Sequence, residues 1–476
     1  MSDSSTSALV LQLRSLIRAA AAGDRLPSSR ELIERYRVGP VTVSRAIALL
    51  AAEGAVVTRP GSGTYVAAKP STVDGPLDTA WQTVALTDRS VDTTSLTGVL
   101  GPPPEGAILL DGGYPHRSLQ ATRFLSAALA RAGRRPDSWD RAPASGLAAL
   151  RSVFAGPAGA SPDDVLITAG GQSGLSMAFR AIAAPGSPVL VESPTYPGAL
   201  AAARAAGLRP VPVPIDDDGV RPDLLAEAFA MTGARLFYCQ PTFHNPTGTV
   251  LTPERRTQVL EVARAAGAFV LEDDFARHLS HGVTAPRPLI ADDRDGTVVH
   301  LTSVTKAAAP SLRIGALIAR GPVLDRMKAI RRVDDFFVSR PLQEAALELL
   351  SAPSWERHVR KLGTELRQRC GKAAAALAGE CPEWTVARLP EGGLHLWVRL
   401  PAGSDANAVA RAARERGVVV GAGDRFYAAE PAGPFLRLGF AAAPDIAELA
   451  EGITRLGVVY NDLYGGAQAK TASSNK

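Results

Sequence analysis

The sequence predicts a multidomain chain: a small α+β unit at the front, then a large α/β body built on a mostly parallel sheet. Three observations carry this. The chain has 476 residues, too many for one ordinary core. Its first 68 residues alternate helical periodicity with a glycine-rich hairpin signal. From Val165 onward, short apolar runs alternate with helical stretches, the pattern of strands whose two faces are covered by helices.

In the front unit, Leu9, Leu13, Leu16 and Ile17 fall at helical spacing, so a first amphipathic helix is expected to end near Ala22 and Gly23. Ser28 followed by Glu31 is a capping box, which starts a second helix running to about Tyr36. Val38, Gly39 and Pro40 break it. Val43, Ile47 and Leu50 then define a third helix that ends at Gly54. The β-prone runs 55–59 and 64–67 flank Pro60, Gly61, Ser62 and Gly63, which reads as a hairpin. This is the order of a winged helix-turn-helix. Its third helix presents Thr42, Ser44 and Arg45 away from the apolar face, residue types suited to phosphates and base edges in a major groove. Residues 1–69 hold nine basic against five acidic side chains, a net +4 out of +5 for the whole chain. A compact basic segment on a near-neutral body suits a polyanion partner, and a merely solvated basic face is the plainer alternative.

Residues 69–104 are rich in Pro, Gly, Ser, Thr and Asp and read as a linker. Within it, Trp81, Val84 and Leu86 mark either a short helix or a docking spot. Residues 105–462 form the body, divided into a large part over 105–335 and a small α+β part over 336–462. Residues 463–476 read as a disordered tail. Strands are expected at 165–168, 188–191, 210–213, 235–239, 268–271, 297–301 and 315–319.

Ligands of such sheets sit beyond the carboxyl ends of the strands, and the polar residues follow those ends. Gly170, Gly171 and Gln172 open a helix whose free N–H groups suit an anion. Asn245, Pro246, Thr247 and Gly248 follow the fourth run, and Glu272, Asp273 and Asp274 the fifth. After the sixth comes Lys306 in an apolar, small-residue run. The chain has seven lysines against forty-five arginines. Arg keeps its proton in a protein, whereas a desolvated Lys becomes a neutral amine able to form a Schiff base with an aldehyde. Singly, these features read as a plain turn, a helix cap and a surface cation.

Together and in this order they resemble a known family. LPSSREL at 26–32, VGPVTVSRAIALLAAEG at 38–54 and RPGSGTYV at 59–66 resemble the GntR-type winged helix over residues 7–68. Pro40 departs from that family's usual polar or basic residue. Residues 108–460 resemble a fold-type I aminotransferase. The motifs are the Gly-Gly-Gln turn, Ser-Pro-Thr-Tyr-Pro-Gly at 193–198, Asn-Pro-Thr-Gly at 245–248, Glu-Asp-Asp at 272–274, Ser303 with Lys306, and Arg313. The fusion is similar to the MocR-type transcriptional regulators.

This resemblance implies pyridoxal 5'-phosphate as cofactor. Lys306 would carry it and be the catalytic residue, and Asp273 would face its pyridine nitrogen. Asn245 would donate to its phenolic oxygen. Ser303, Arg313, Gly171 and Gln172 would hold its phosphate, with Tyr196 lining the ring pocket. Arg437, in the run 435–439, would grip the carboxylate of an amino-acid or amine effector. His244 would be a wall residue. Phe275 stands where many relatives have a tyrosine, which removes a hydrogen bond worth about 0.5–1.5 kcal/mol and argues against efficient transamination. Contact with double-stranded operator DNA would fall to Arg30, Thr42, Ser44, Arg45 and Gly61.

The resemblance also implies a homodimer, head to tail, regulating genes of amino-acid, amine or vitamin B6 metabolism. A working aminotransferase with a DNA-binding appendage is the second reading, with weak or partial transaminase activity as its mildest form. A cofactor-free dimerisation scaffold is the third. No metal is expected: Cys239, Cys370 and Cys381 are too scattered for a zinc site or a disulfide framework, which fits a reducing cytoplasm. The polar N-terminus and the absence of any run near about 18 apolar residues argue against secretion and a membrane partner.

Overall fold

The computed structural model describes residues 2–68, 78–86 and 104–474, with side chains for 5–68, 78–86 and 104–465. It divides into two compact units, Met1–Ser90 and Val91–Lys476. Most of the expected 69–104 linker lies outside the described residues; Trp81 and Val84 fall in a short helix, Ala80–Ala85, and Leu86 caps its end.

In the first unit, helices Ser2–Ala19, Ser29–Tyr36 and Pro40–Ala52 precede a hairpin of Val56–Arg59 and Gly63–Val66. The capping box forms: the Ser28 N–H donates to Glu31 Oε2 at 2.6 Å, and the Glu31 N–H donates to Ser28 Oγ at 3.3 Å. Pro40 sits in the first turn of the third helix, where its missing N–H costs nothing. Leu9, Leu13, Leu32, Val43, Leu50, Val56 and Val66 close the core. The first helix stops at Ala19, earlier than its periodicity predicts. The reason is tertiary. Gly23 N–H donates to Val66 O and Leu26 N–H to Thr64 O, so residues 23–26 run along the hairpin. Asp24 accepts from the Ala21 N–H at 2.7 Å and fixes that exit.

The second unit is built on an eight-stranded sheet. Its order is 165–168, 315–318, 298–303, 269–274, 236–239, 188–193, 209–216 and 219–220. All seven strands expected from sequence are present. Their apolar residues alternate between two cores: Leu190, Phe237, Val270 and Val298 pack on one face, and Val189, Val191, Tyr238, Leu271 and Val299 on the other. A strand with both faces covered therefore reads as a continuous apolar run. Pairing is parallel except at Gly315–Ile318, antiparallel to both neighbours, and at the edge strand Gly219–Val220. The link from Ser303 to Gly315 carries only a short 3-10 turn, Pro310–Leu312, and a chain that makes no crossover returns antiparallel.

A second sheet joins Thr385–Val386, His395–Arg399, Phe435–Gly439 and Gly421–Ala422, all antiparallel. Ile108–Leu109 pairs with Val418–Val419, far along the chain. The start of the expected large part thus packs with the small one, because Leu110 also accepts from the Gly439 N–H. The last helix is Ile446–Ser474, so helix occupies the stretch expected to be a disordered tail. Tyr464 helps anchor its earlier turns: its hydroxyl accepts from the Asp405 N–H at 2.8 Å, and its ring lies 4.9 Å from that of Tyr460. No helix among the described residues is long and apolar enough to cross a membrane.

Candidate functional site

A cavity of about 340 Å³ opens at the carboxyl edge of the large sheet. Gly171, Gln172, Tyr196, Asn245, Asp273, Phe275, Ser303, Lys306, Arg313 and Arg437 all line it. These are the ten body residues assigned from sequence to the cofactor or the effector carboxylate, drawn from segments more than 260 positions apart.

The strand Phe269–Asp274 explains why one acid of three reaches the cavity. Side chains alternate along a strand, so Asp273 faces one way and Glu272 and Asp274 the other. Glu272 accepts from the Leu289 N–H at 2.7 Å and pairs with His300 Nδ1 at 2.8 Å, while Asp274 pairs with Arg277. Asp273 Oδ2 accepts from Tyr238 Oη at 2.7 Å and from Gln240 Nε2 at 2.9 Å. Both donors sit on one oxygen. Burial nevertheless pushes the Asp273 carboxyl up to about 6.

Lys306 follows the strand Val298–Ser303. Its Nζ donates to Gly113 O at 2.5 Å and lies 3.6 Å from the centroid of the Tyr114 ring. Desolvation, with Arg437 next, pushes the amine down to about 7, against the opposing pull of Asp273. A large share is therefore neutral near neutral pH.

An anion cradle stands beside it. Gly170 has φ +85° and ψ 174° and caps the helix Gly171–Ile182, whose first N–H groups are free of helical partners. Arg313, at φ +51°, donates from Nη2 to Ala169 O at 2.9 Å. Ser303 Oγ donates to Thr305 Oγ1 at 2.8 Å. Tyr196 Oη donates to Gln172 Oε1 at 3.3 Å, and Gln172 Nε2 donates to Gly198 O at 2.8 Å. A Cβ on Gly198 would run into the Tyr196 ring, so glycine there lets the phenol fold back over the helix start. Burial pushes that phenol above its usual range.

On the opposite wall, Arg437 Nη1 donates to Asn245 Oδ1 at 3.1 Å. Its Nη2 donates to Asp111 Oδ1 at 2.9 Å and to Asp111 O at 2.8 Å. The Asn245 N–H donates to Gln240 Oε1 at 3.2 Å. His244 is not part of the cavity wall. It is buried behind it, with Nδ1 2.8 Å from Thr247 Oγ1 and Nε2 3.3 Å from Glu192 Oε2.

Sequence reasoning missed Asp111, Tyr114, Gln240, His395 and Arg425, of which all but Asp111 line the cavity. Gln240 directly follows the fourth apolar run, but only contact with Asp273 reveals its part. Asp111, Gly112, Gly113 and Tyr114 form a polar, glycine-rich bend, a signal in the sequence that could have marked that segment.

The donor set fits pyridoxal 5'-phosphate. An anion cradle, a buried carboxylate with one oxygen left for a ring nitrogen, an amide and a lysine shifted toward its neutral form face one space. The orphaned Arg437 Nε adds a buried donor for a ligand carboxylate.

In the first unit, Ser44 and Arg45 are exposed and Thr42 half-buried on the third helix. Arg30 is exposed on the second, 3.8 Å from Glu34. Gly61 stands at the hairpin tip with φ +75°.

The family model for class I and II aminotransferases matches residues 127–456, and that for the gntR family of bacterial regulatory proteins matches residues 6–66. The chain is 25% identical over 455 residues to YdfD of Bacillus subtilis, an uncharacterized HTH-type transcriptional regulator, covering 93% of this chain and 92% of the relative. It is 31% identical over 357 residues to a 2-aminoadipate transaminase of Thermus thermophilus, covering 74% and 89%. Its fold matches the crystal structure of LysN, an alpha-aminoadipate aminotransferase from Thermus thermophilus in complex with N-(5'-phosphopyridoxyl)-L-leucine. There the TM-score is 0.75 and the identity 29%, over 81% of this chain and 99% of that one. A winged helix matched over residues 6–66, ahead of an aminotransferase body whose motif residues share one cavity, is the MocR-type arrangement, and the chain belongs to the class I and II aminotransferase family with a gntR-type DNA-binding domain in front.

Proposed function

We propose that this chain is a DNA-binding transcriptional regulator whose body holds pyridoxal 5'-phosphate on Lys306 and reads an amino-acid or amine effector there. The observation that carries the reading is the convergence of a neutral-prone lysine, Asp273, Asn245 and Arg313 on one cavity in a chain that keeps a complete winged helix. When bound, the cofactor supplies an aldehyde carbon that takes up primary amines and a ring that withdraws electrons.

The protein's part is to bind and orient. Lys306 offers the neutral amine. Asp273, steadied on one oxygen by Tyr238 and Gln240, leaves the other to hold the proton at the ring nitrogen. Asn245 would donate to the phenolic oxygen. The Gly170–Gln172 turn with Ser303 and Arg313 receives the phosphate, and Arg437 receives the effector carboxylate as a charge-assisted pair. Thr42, Ser44 and Arg45 face the operator, with Arg30 and Gly61 positioning the domain. A cytoplasmic homodimer, arranged head to tail, brings two winged helices to one DNA. Its targets are genes of amino-acid, amine or vitamin B6 metabolism.

A working aminotransferase is the second reading, favoured by the completeness of the cavity. Phe275 weighs against it, because its ring lines the cavity without a hydroxyl. The test is operator affinity of the full chain and of Lys306→Ala, each with and without the cofactor and a panel of amino acids. A visible absorption band lost in Lys306→Ala, together with an amino-acid-dependent shift in operator affinity lost in the same variant, supports the proposal. A band unchanged in Lys306→Ala refutes the lysine assignment. Turnover of about 10 per second with a common amino acid favours the enzyme.

A further inference from the structure

Gln240 leaves the strand Leu236–Cys239 at its carboxyl end, buried, and lines the cavity. Its side chain makes two bonds of opposite kind. Nε2 donates to Asp273 Oδ2 at 2.9 Å, and Oε1 accepts from the Asn245 N–H at 3.2 Å. A primary amide carries a donor and an acceptor on one plane, and these two partners fix which end is which. A carboxylate at this place would have no donor for Asp273, and an amine would have no acceptor for Asn245.

The amide is itself held. The Gln240 N–H donates to Glu192 Oε2 at 2.7 Å, on the neighbouring strand Pro188–Ser193. The same oxygen lies 3.3 Å from His244 Nε2, so one buried carboxylate reaches both ends of the loop from Gln240 to His244. Within that loop Phe243 stands at φ +53°, a conformation that a bulky side chain keeps only where its surroundings hold it. Asn245 follows directly. Its Oδ1 accepts from Arg437 Nη1 at 3.1 Å, which leaves Nδ2 as the end able to donate into the cavity. Tyr238 donates to the same Asp273 oxygen, but Gln240 is the donor that also reaches Asn245.

We propose that Gln240 is a positioning residue that sets two cofactor contacts together, aiming Asp273 at the ring nitrogen and the Asn245 amide at the phenolic oxygen. The proposal rests on the reading that pyridoxal 5'-phosphate occupies this cavity. It adds that the two contacts are not independent: displacing one amide loosens both.

The test measures binding of three aldehydes to the full, cofactor-free chain by equilibrium dialysis. They are pyridoxal 5'-phosphate, its analogue with C–H in place of the ring nitrogen, and its analogue without the phenolic hydroxyl. The wild-type chain should prefer the natural compound to each analogue by about tenfold or more, because each analogue leaves one buried partner unmatched. Gln240→Met fills the space without polar atoms, and both preferences should fall by about threefold or more. A merely structural loss would weaken all three aldehydes alike and leave both preferences in place. Gln240→Thr is too short to reach either partner and should behave in the same way; it carries the test if Gln240→Met does not fold. Preferences unchanged in these variants, or only one of the two reduced, overturn the proposal and leave the cofactor reading standing. A wild-type chain that binds the three aldehydes equally removes the two contacts, and the proposal with them. A wild-type chain that binds none of the three overturns the cofactor reading and the proposal together.

Discussion

Replacing Gly170 by alanine tests the anion cradle directly. Gly170 holds φ +85° and ψ 174°, a region that is essentially glycine's alone, and a side chain there costs about 1–3 kcal/mol. The new Cβ would also lie 2.8 Å from Arg313 Nη2 and 2.9 Å from its Cζ. The guanidinium must move, giving up its 2.9 Å bond to Ala169 O. A hydrogen bond from a charged donor is worth about 1.5–3 kcal/mol, and water recovers part of it at this half-buried site. The two effects together predict a loss of about 2–4 kcal/mol in the stability of the body. Gly171→Ala is the control one residue away: its Cβ meets only Ser303 Cβ at 4.0 Å, so a change within about 0.5 kcal/mol is expected. Calorimetry of the two variants reads the difference. Binding of pyridoxal phosphate reads the second consequence, a loss of about tenfold or more in Gly170→Ala as Arg313 leaves the cradle. Equal melting and equal cofactor affinity in the two variants would refute the cradle as described.

Two further outcomes follow from the same geometry. Burial and Arg437 depress the Lys306 amine to about 7, so its neutral form is gained at lower pH than for a free lysine. Uptake of pyridoxal phosphate by the cofactor-free chain should rise about tenfold between about pH 6 and 8 and then level off; a stopped-flow rate still climbing steeply past pH 9 would show an ordinary, solvated lysine. Arg45 is exposed on the third helix of the winged unit, and Arg45→Ala should lower operator affinity and flatten its salt dependence by about one unit of slope, read by fluorescence anisotropy over a salt series; unchanged affinity and slope would remove Arg45 from the interface.

What the sequence made legible depends on how far a residue's role is set by its own strand. Val165–Thr168, Pro188–Ser193, Leu236–Cys239 and Phe269–Asp274 were readable because each is buried on both faces and so forms a short apolar run. Asp273, Lys306 and Gly171 were readable because parallel strands deliver their carboxyl ends to one edge, so position along the chain predicts position in the site. Arg313 reaches the same edge for a different reason. The strand after it must double back, since the link from Ser303 is too short to cross over, and that carries Arg313 beside the cradle. The end of the first helix was misplaced because Gly23 and Leu26 are claimed by the hairpin, a tertiary pull that periodicity does not record.

Asp111 marks the limit of this kind of reading. Arg437 could be named from its strand, but the group it meets lies 326 positions earlier. Two strand pairings bring them together: Ile108–Leu109 on Val418–Val419, and Gly421–Ala422 on Phe435–Gly439. Neither involves a strand longer than five residues, and a two-residue strand leaves no period to detect. The same short pairings bring Arg425 onto Asp111, just after Gly421–Ala422. The cofactor side of the cavity is therefore built by strands of the eight-stranded sheet, and the effector side by short pairings between distant segments. Both are held by one extensive buried core, which takes in Ile108, Leu110, Val418, Leu436 and Leu438 as well as Leu190, Phe237 and Val270; the effector side adds a carboxylate shared by two arginines. On the reading proposed here, substitutions that alter effector choice should concentrate at Asp111, Tyr114, His395 and Arg425, leaving the Asp273, Lys306 and Arg313 frame intact.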